Sequence, residues 1–278
     1  MKIIMDAGGS KIDILERGNG KRFRLPGFNP LLHPISQLAD TLGTDNELIN
    51  NLALATNIDY YGAGCRQNEP KETIKKLLQK LAPNALIQVH HDLDLLTHCW
   101  TKYAPCFVCI AGTGSNSMLI ETSLNGNITN RSLRPSLGYI LGDEGGGVWF
   151  GKRLLHDYFG YQMPDALRKS FGETYAITLA ETLQKTYKTQ GANTYIASFA
   201  PFMAAHQNEP YIQALLKEGF AAFIRYFIPE DYHQQQAIPL NFAGSIAYYY
   251  QKELQEVALS FGLQINEIVA SPLDALSL

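Results

Sequence analysis

The chain has 278 residues, 46% of them apolar and 18% charged, with a formal net charge of −3. That balance describes a folded protein with room for two ordinary domains, and excludes a disordered or membrane chain. The mild negative charge, with no offsetting Lys/Arg cluster, argues against nucleic acid as a partner. No apolar run reaches the roughly 18 residues of a membrane span, so no membrane partner is expected. Met1 leads directly into an apolar strand with no leader, and a reducing cytoplasm is the expected location.

The first strand, from Ile3, runs into the glycine turn of Asp6-Ala7-Gly8-Gly9-Ser10-Lys11. Glycine there lets backbone N–H groups approach a ligand closely, as a nest for phosphate oxygens requires. Lys11 to Ile14 then alternates with period two, Asn19-Gly20 turns, and Arg22 to Leu25 alternates again, which predicts an antiparallel meander. Pro26 to Pro30 is a turn-rich loop. Thr44-Asp45-Asn46-Glu47 has capping-box spacing and predicts a helix start. Leu52 to Thr56 predicts a buried strand leading to the Gly62-Ala63-Gly64 turn, and Pro70 opens a helix with Ile74, Leu77, Leu78 and Leu81 on one stripe.

Ala85 to Val89 predicts another strand, followed by His90-His91-Asp92 and a helix starting near Asp92. A carboxylate at the C-terminal end of a strand in an α/β sheet sits where ligands bind; capping the helix is the alternative role. The second half opens near Pro105. Phe107 to Asn116, FVCIAGTGSN, repeats the strand and glycine turn, and a strand, Asn125-Gly126 and a further strand follow. The two segments have the same order of parts, which marks an internal duplication. Neither turn has the spacing of a Walker A loop or a dinucleotide fingerprint, and both continue as strand where those motifs open a helix.

Gly138 to Gly151 places six glycines around Asp143 and Glu144. Helices are predicted over Ala166–Phe171, Thr174–Tyr187, Ile196–Ala205, Tyr211–Phe227 and Ile246–Phe261. Leu240 to Ala243 is a short strand ending at Gly244-Ser245. Of the four cysteines, Cys106 and Cys109 form a C-x-x-C on one strand. Residues three apart on a strand face opposite ways, so a structural role is expected.

The DAGGSK and AGTGSN turns resemble the two phosphate loops of the actin, hexokinase and Hsp70 superfamily. GYILGDEGGGVWFG is similar to a stretch of its N-acetylglucosamine kinase branch, which includes the BadF/BcrA-type ATPases. The resemblance spans Lys2 to about Leu276. It implies an α/β fold of two actin-like (ribonuclease H-like) domains, 1–104 and 105–278, with an ATP cleft between them and the last residues free to pack back on the first. It also implies ATP and Mg²⁺ as cofactors, a small sugar as partner, and an oligomeric state, a homodimer included, left open.

By the same matching Asp92 is the general base, although His91 stands before it where the family has Asn or Thr. Gly8, Gly9, Ser10, Lys11, Gly112, Thr113, Gly114 and Ser115 would hold phosphate. Gly244 and Ser245 would meet adenosine, Ser245 departing from the family's second glycine. Asn29, Asn116, Asp143 and Glu144 would contact the sugar, and Asp6 would hold Mg²⁺, through water. Asp274 replaces a glycine of the family's C-terminal segment, and the family's final helix is nearly absent. The implied activity is ATP-dependent phosphorylation of an N-acetylated amino sugar, N-acetylglucosamine foremost. The rivals are an ATPase driving a partner enzyme, a non-catalytic sensor of sugar or nucleotide, and a metal site at His90, His91 and Asp92.

Overall fold

The computed structural model describes residues 1–123, 125–233 and 238–276. The chain divides into two compact units, one of Met1–Cys99 with the tail from Pro272, the other Trp100–Ser271. The division falls a few residues before the expected one, and the tail returns to the first unit. Among the described residues no helix is long and apolar enough to cross a membrane.

In the first unit β1 (Lys2–Ala7), β2 (Lys11–Arg17) and β3 (Arg22–Pro26) form the expected meander. Helices α1 (Ile35–Leu42) and α2 (Asn46–Ala53) lead to β4 (Asn57–Gly62), α3 (Asn68–Leu81), β5 (Leu86–His91) and α4 (Asp92–Trp100). The sheet order is β3-β2-β1-β4-β5, with β4 parallel to both its neighbours. Central β1 buries Ile3, Ile4 and Met5 on both faces, whereas edge strand β3 buries Phe23 and Leu25 and exposes Arg22 and Arg24. That contrast is the one expected of a covered strand and a half-solvated strand.

Two sequence expectations change here. Leu52 to Thr56 is not a strand: Leu52 ends α2, and the strand lies at Asn57–Gly62. A short apolar run serves a helix end as well as a buried strand. Asp45, not Thr44, caps α2 by accepting from the Leu48 N–H at 3.0 Å, while the Thr44 hydroxyl donates to the Thr41 carbonyl. Helix α1 had no sequence expectation.

In the second unit β6 (Cys106–Ala111), β7 (Ser115–Thr122) and β8 (Ile128–Arg131) repeat the meander. Then come α5 (Gly138–Leu141), α6 (Gly147–Phe159), α7 (Asp165–Tyr175), α8 (Leu179–Tyr187), α9 (Ala192–Ala197), α10 (Phe202–Ala205) and α11 (Pro210–Phe227). Strand β9 (Leu240–Ala243), α12 (Ser245–Tyr249), α13 (Gln251–Ser260) and β10 (Ile265–Val269) complete it. Its sheet order, β8-β7-β6-β9-β10, is that of the first sheet with the same parallel and antiparallel pairs. The duplication in the sequence is therefore one of topology.

The helical stretch breaks more often than expected. Ala176 takes φ +46° and ends α7, and Thr178 opens α8 with a full capping box to Glu181. Pro201 separates α9 from α10, and Tyr250 separates α12 from α13. Buried Ile212, Leu216, Phe220, Phe223 and Phe227 on α11 supply the stripe that packs into this unit's core. Cys106 and Cys109 are wholly buried on β6, and burial pushes the Cys106 thiol up to about 11.

Candidate functional site

The first glycine turn is built almost entirely from backbone. The Gly8 N–H donates to the Lys11 carbonyl at 2.9 Å, and the Phe28 N–H donates to the Gly8 carbonyl at 3.1 Å. Gly27 lies flat against it: a Cβ there would come 2.4 Å from the Gly9 carbonyl carbon and the Ser10 nitrogen. Two residues on, Asn29 closes its own turn, its side-chain oxygen accepting from the Leu31 N–H at 3.0 Å. Gly64 packs on that oxygen, where a Cβ would come within 2.4 Å.

Cross-strand register then lines up Arg24, Asp13, Asp6, Tyr61 and His90 across the five strands. Opposed residues in a sheet share a face, so these five polar side chains form one row. Lys11 and Arg24 each approach Asp13 at 2.6 Å. Among the described residues no such cation sits on Asp6. Burial first, then the charges of Asp92 and Asp13, push its carboxyl up to about 7 against the pull of Lys11.

Asp92 is the first residue of α4, at the C-terminal end of β5. Its Oδ1 accepts from the Leu93 N–H at 2.9 Å and lies 2.9 Å from His91 Nδ1. Asp94, two residues on, uses Oδ2 to accept from the His91 N–H at 3.1 Å. His90 stacks on Tyr61 with ring centroids 4.8 Å apart. His90 is thus engaged with Tyr61 and His91 with Asp92. Among the described residues no group of three His, Cys, Asp or Glu side chains is placed to hold a metal by itself.

The second glycine turn is supported from more sides. The Gly112 N–H donates to the Gly114 carbonyl, while the first N–H groups of α6, from Gly147 and Val148, donate to the Gly112 and Thr113 carbonyls at 2.8 and 2.9 Å. Asp143, 7% exposed and at φ +62°, accepts from the Ser115 N–H at 3.1 Å. Burial is the largest influence on that carboxyl and raises its pKa. Gly114 has no room for a side chain beside Asp143, and Gly244, at φ +123°, lies against Ala111 and Gly112. Glu144 is half-buried with Oε2 lacking a hydrogen-bond partner. Asn116 sits on β7 and turns its oxygen to the Ser117 N–H.

A pocket of about 390 Å³ opens beside this turn, lined among others by Gly112, Thr113, Gly147, Ser245, Ile246 and Tyr249. It unites the sequence-predicted Gly112, Thr113 and Ser245 in one wall. Another hollow, of about 370 Å³ and lined by Lys217, Arg225 and Phe261, contains none of the predicted residues.

Thus the first unit gathers Asp6, Gly8 to Lys11, Asn29 and Asp92, and the second gathers Gly112 to Asn116, Asp143, Glu144, Gly244 and Ser245. Sequence reasoning missed Gly27, which backs the first turn, and Lys152. The Lys152 ammonium donates to the Tyr139 and Gly142 carbonyls at 2.9 and 3.3 Å and pins the approach to Asp143. Gly27 stood in the sequence beside Pro26, a turn signal without a target.

No protein-family model and no curated protein sequence matches this chain. Solved structures do. A Porphyromonas gingivalis protein whose structure bears the name putative N-acetylglucosamine kinase is 29% identical, with TM-score 0.88 over 99% of this chain and 97% of that one. A Chromobacterium violaceum protein bearing the same name is 16% identical, with TM-score 0.68 over 99% and 96%. The glucokinase of Balamuthia mandrillaris, solved with glucose, is 12% identical, with TM-score 0.52 over 94% and 84%. The repeated meander, the shared sheet order and these likenesses agree: the chain has the two-unit α/β fold of the actin-like ATPases and hexokinases.

Proposed function

We propose that this chain is an ATP-dependent kinase that phosphorylates a hydroxyl of an N-acetylated amino sugar, N-acetylglucosamine foremost. The observation that carries the reading is the repeated strand–glycine turn–strand, once per unit on sheets of one topology, with Asp92 at the end of β5. The 29% identity over nearly the whole length of a protein named for that activity supports the sugar.

Phosphoryl transfer asks a protein mainly to position phosphates and acceptor and to stabilise charge. The N–H groups of Gly9 to Lys11 and of Thr113 and Gly114 serve the phosphates, while those of Gly8, Gly112 and Ser115 brace the two turns, and Gly244 and Ser245 serve the nucleoside. Asp6 suits Mg²⁺, a hard cation that keeps most of its water: it is a carboxylate crowded by other carboxylates, with no cation of its own. Bound there, Mg²⁺ supplies charge neutralisation on the phosphates. Asp92 accepts the proton of the attacking hydroxyl through its second oxygen. Asn29, Asn116, Asp143 and Glu144 are the proposed sugar contacts. Asp143 already spends one oxygen on the Ser115 N–H, so its other oxygen is the one for a ligand.

The test is ADP release from Mg·ATP against a panel of sugars, with wild type and Asp92→Asn side by side. Release only with an amino sugar, falling by ~10²–10⁴ in the variant, is the expected result. Sugar-independent release would instead favour an ATPase that drives a partner.

A further inference from the structure

Strand β5 ends at His91 and α4 begins at Asp92, so the strand–helix junction folds two neighbouring side chains onto each other. Asp92 Oδ1 is contacted from two sides, by His91 Nδ1 and by the Leu93 N–H, both at 2.9 Å. A ring protonated on Nδ1 is a donor there. The longer 3.4 Å approach of the Leu93 N–H to Nδ1 is then unused. Oδ2 has no hydrogen-bond partner among the described residues. Two donors on one oxygen make it the poorer base and leave the other to accept a proton.

The His91 backbone is also fixed, because its N–H is bound by Asp94 Oδ2. The charges facing His91 are Asp92 and Asp94 on α4 and Arg66 from the loop after β4. Its cross-strand partner on β4 is uncharged Gly62.

We propose that His91 is the positioning residue for Asp92: its imidazole clamps Oδ1 so that Oδ2 alone meets the substrate hydroxyl. This inference rests on the kinase reading above. It has a chemical consequence. When His91 gains its second proton, its cationic ring holds the carboxylate more tightly and Asp92 becomes a weaker base. Turnover then falls on the acid side with the titration of His91.

Two measurements on the full chain test it. By NMR, the His91 ring should titrate above the usual ~6.5, because its hydrogen bond to Asp92 favours the charged ring, and its midpoint should fall in Asp92→Asn. An unchanged midpoint overturns the contact. In kinetics, His91→Phe should lower kcat about tenfold, the worth of one hydrogen bond to a charged group, with KM for ATP unchanged. His91→Asn, which keeps a donor but cannot become a cation, should recover most of kcat and move the acid limb of the pH profile to lower pH. A wild-type kcat in His91→Phe, or an unmoved acid limb in His91→Asn, overturns the proposal. Absence of sugar-dependent turnover in wild type overturns the kinase reading and the role of the base with it, whereas the NMR titration reports on the contact alone.

Discussion

Asp6 and Asp13 face each other directly across the β1–β2 pair, and their environments push them in opposite directions. Burial works against the charge of Asp13, but hydrogen bonds from Arg24 and Lys11 prevail and hold its carboxyl below the usual range. Asp6 shares the row without a cation and is driven up to about 7. One strand pair therefore holds a spent carboxylate beside a poised one.

The poised carboxylate costs stability. A carboxyl raised in the folded state contributes nothing adverse below its unfolded value of ~3.9, and its penalty grows until pH passes about 7. Asp6→Asn should therefore be more stable than wild type at pH 8 without Mg²⁺ and level with it near pH 4, while losing turnover. Denaturant midpoints at the two pH values check this. A variant less stable at pH 8, or a difference independent of pH, would contradict it.

Gly27→Ala should damage the first glycine turn from behind. Its Cβ would enter backbone at 2.4 Å, so the turn must move, at ~1–3 kcal/mol of overpacking. KM for ATP should rise severalfold and the unfolding temperature should fall. Gly20→Ala, a positive-φ turn with open space around it, should cost stability without touching KM.

Asp143→Ala and Asp143→Asn should separate in thermal unfolding. Alanine leaves the Ser115 N–H without an acceptor and sits poorly at φ +62°, for ~2–3 kcal/mol together. Asparagine keeps an acceptor and tolerates that backbone region. Equal unfolding temperatures would remove the carboxylate's role in bracing the turn.

Gly151→Ala should destabilise the second unit's helical layer. A Cβ at 151 would stand 1.9 Å from the Ile196 carbonyl oxygen, so α6 and α9 cannot keep their spacing. A loss of at least ~1–3 kcal/mol is expected, read from denaturant curves.

The meanders and their glycine turns were legible because their signals are local: alternation, Asn-Gly pairs and the glycines themselves. The place of Asp92 just after a strand was legible for the same reason. Strand β4 was misplaced because Leu52 to Thr56 is apolar enough for either structure and the sheet, not the segment, decides. The break at Ala176 depends on one residue taking a left-handed backbone, which its side chain does not announce. Gly27 and Lys152 matter through contacts to residues distant in sequence, and such contacts leave no periodic mark.

The tail from Pro272 has a consequence for the order of events in the cell. Leu273 and Leu276 are buried, Arg22 reaches Asp274 at 2.5 Å, and the Cys99 thiol donates to the Pro272 carbonyl at 3.4 Å. During synthesis the first unit therefore emerges early but lacks these partners until the whole second unit has been made. The unit that leaves the ribosome first is the last to be finished, and clipping the tail should loosen it while sparing the unit made in between.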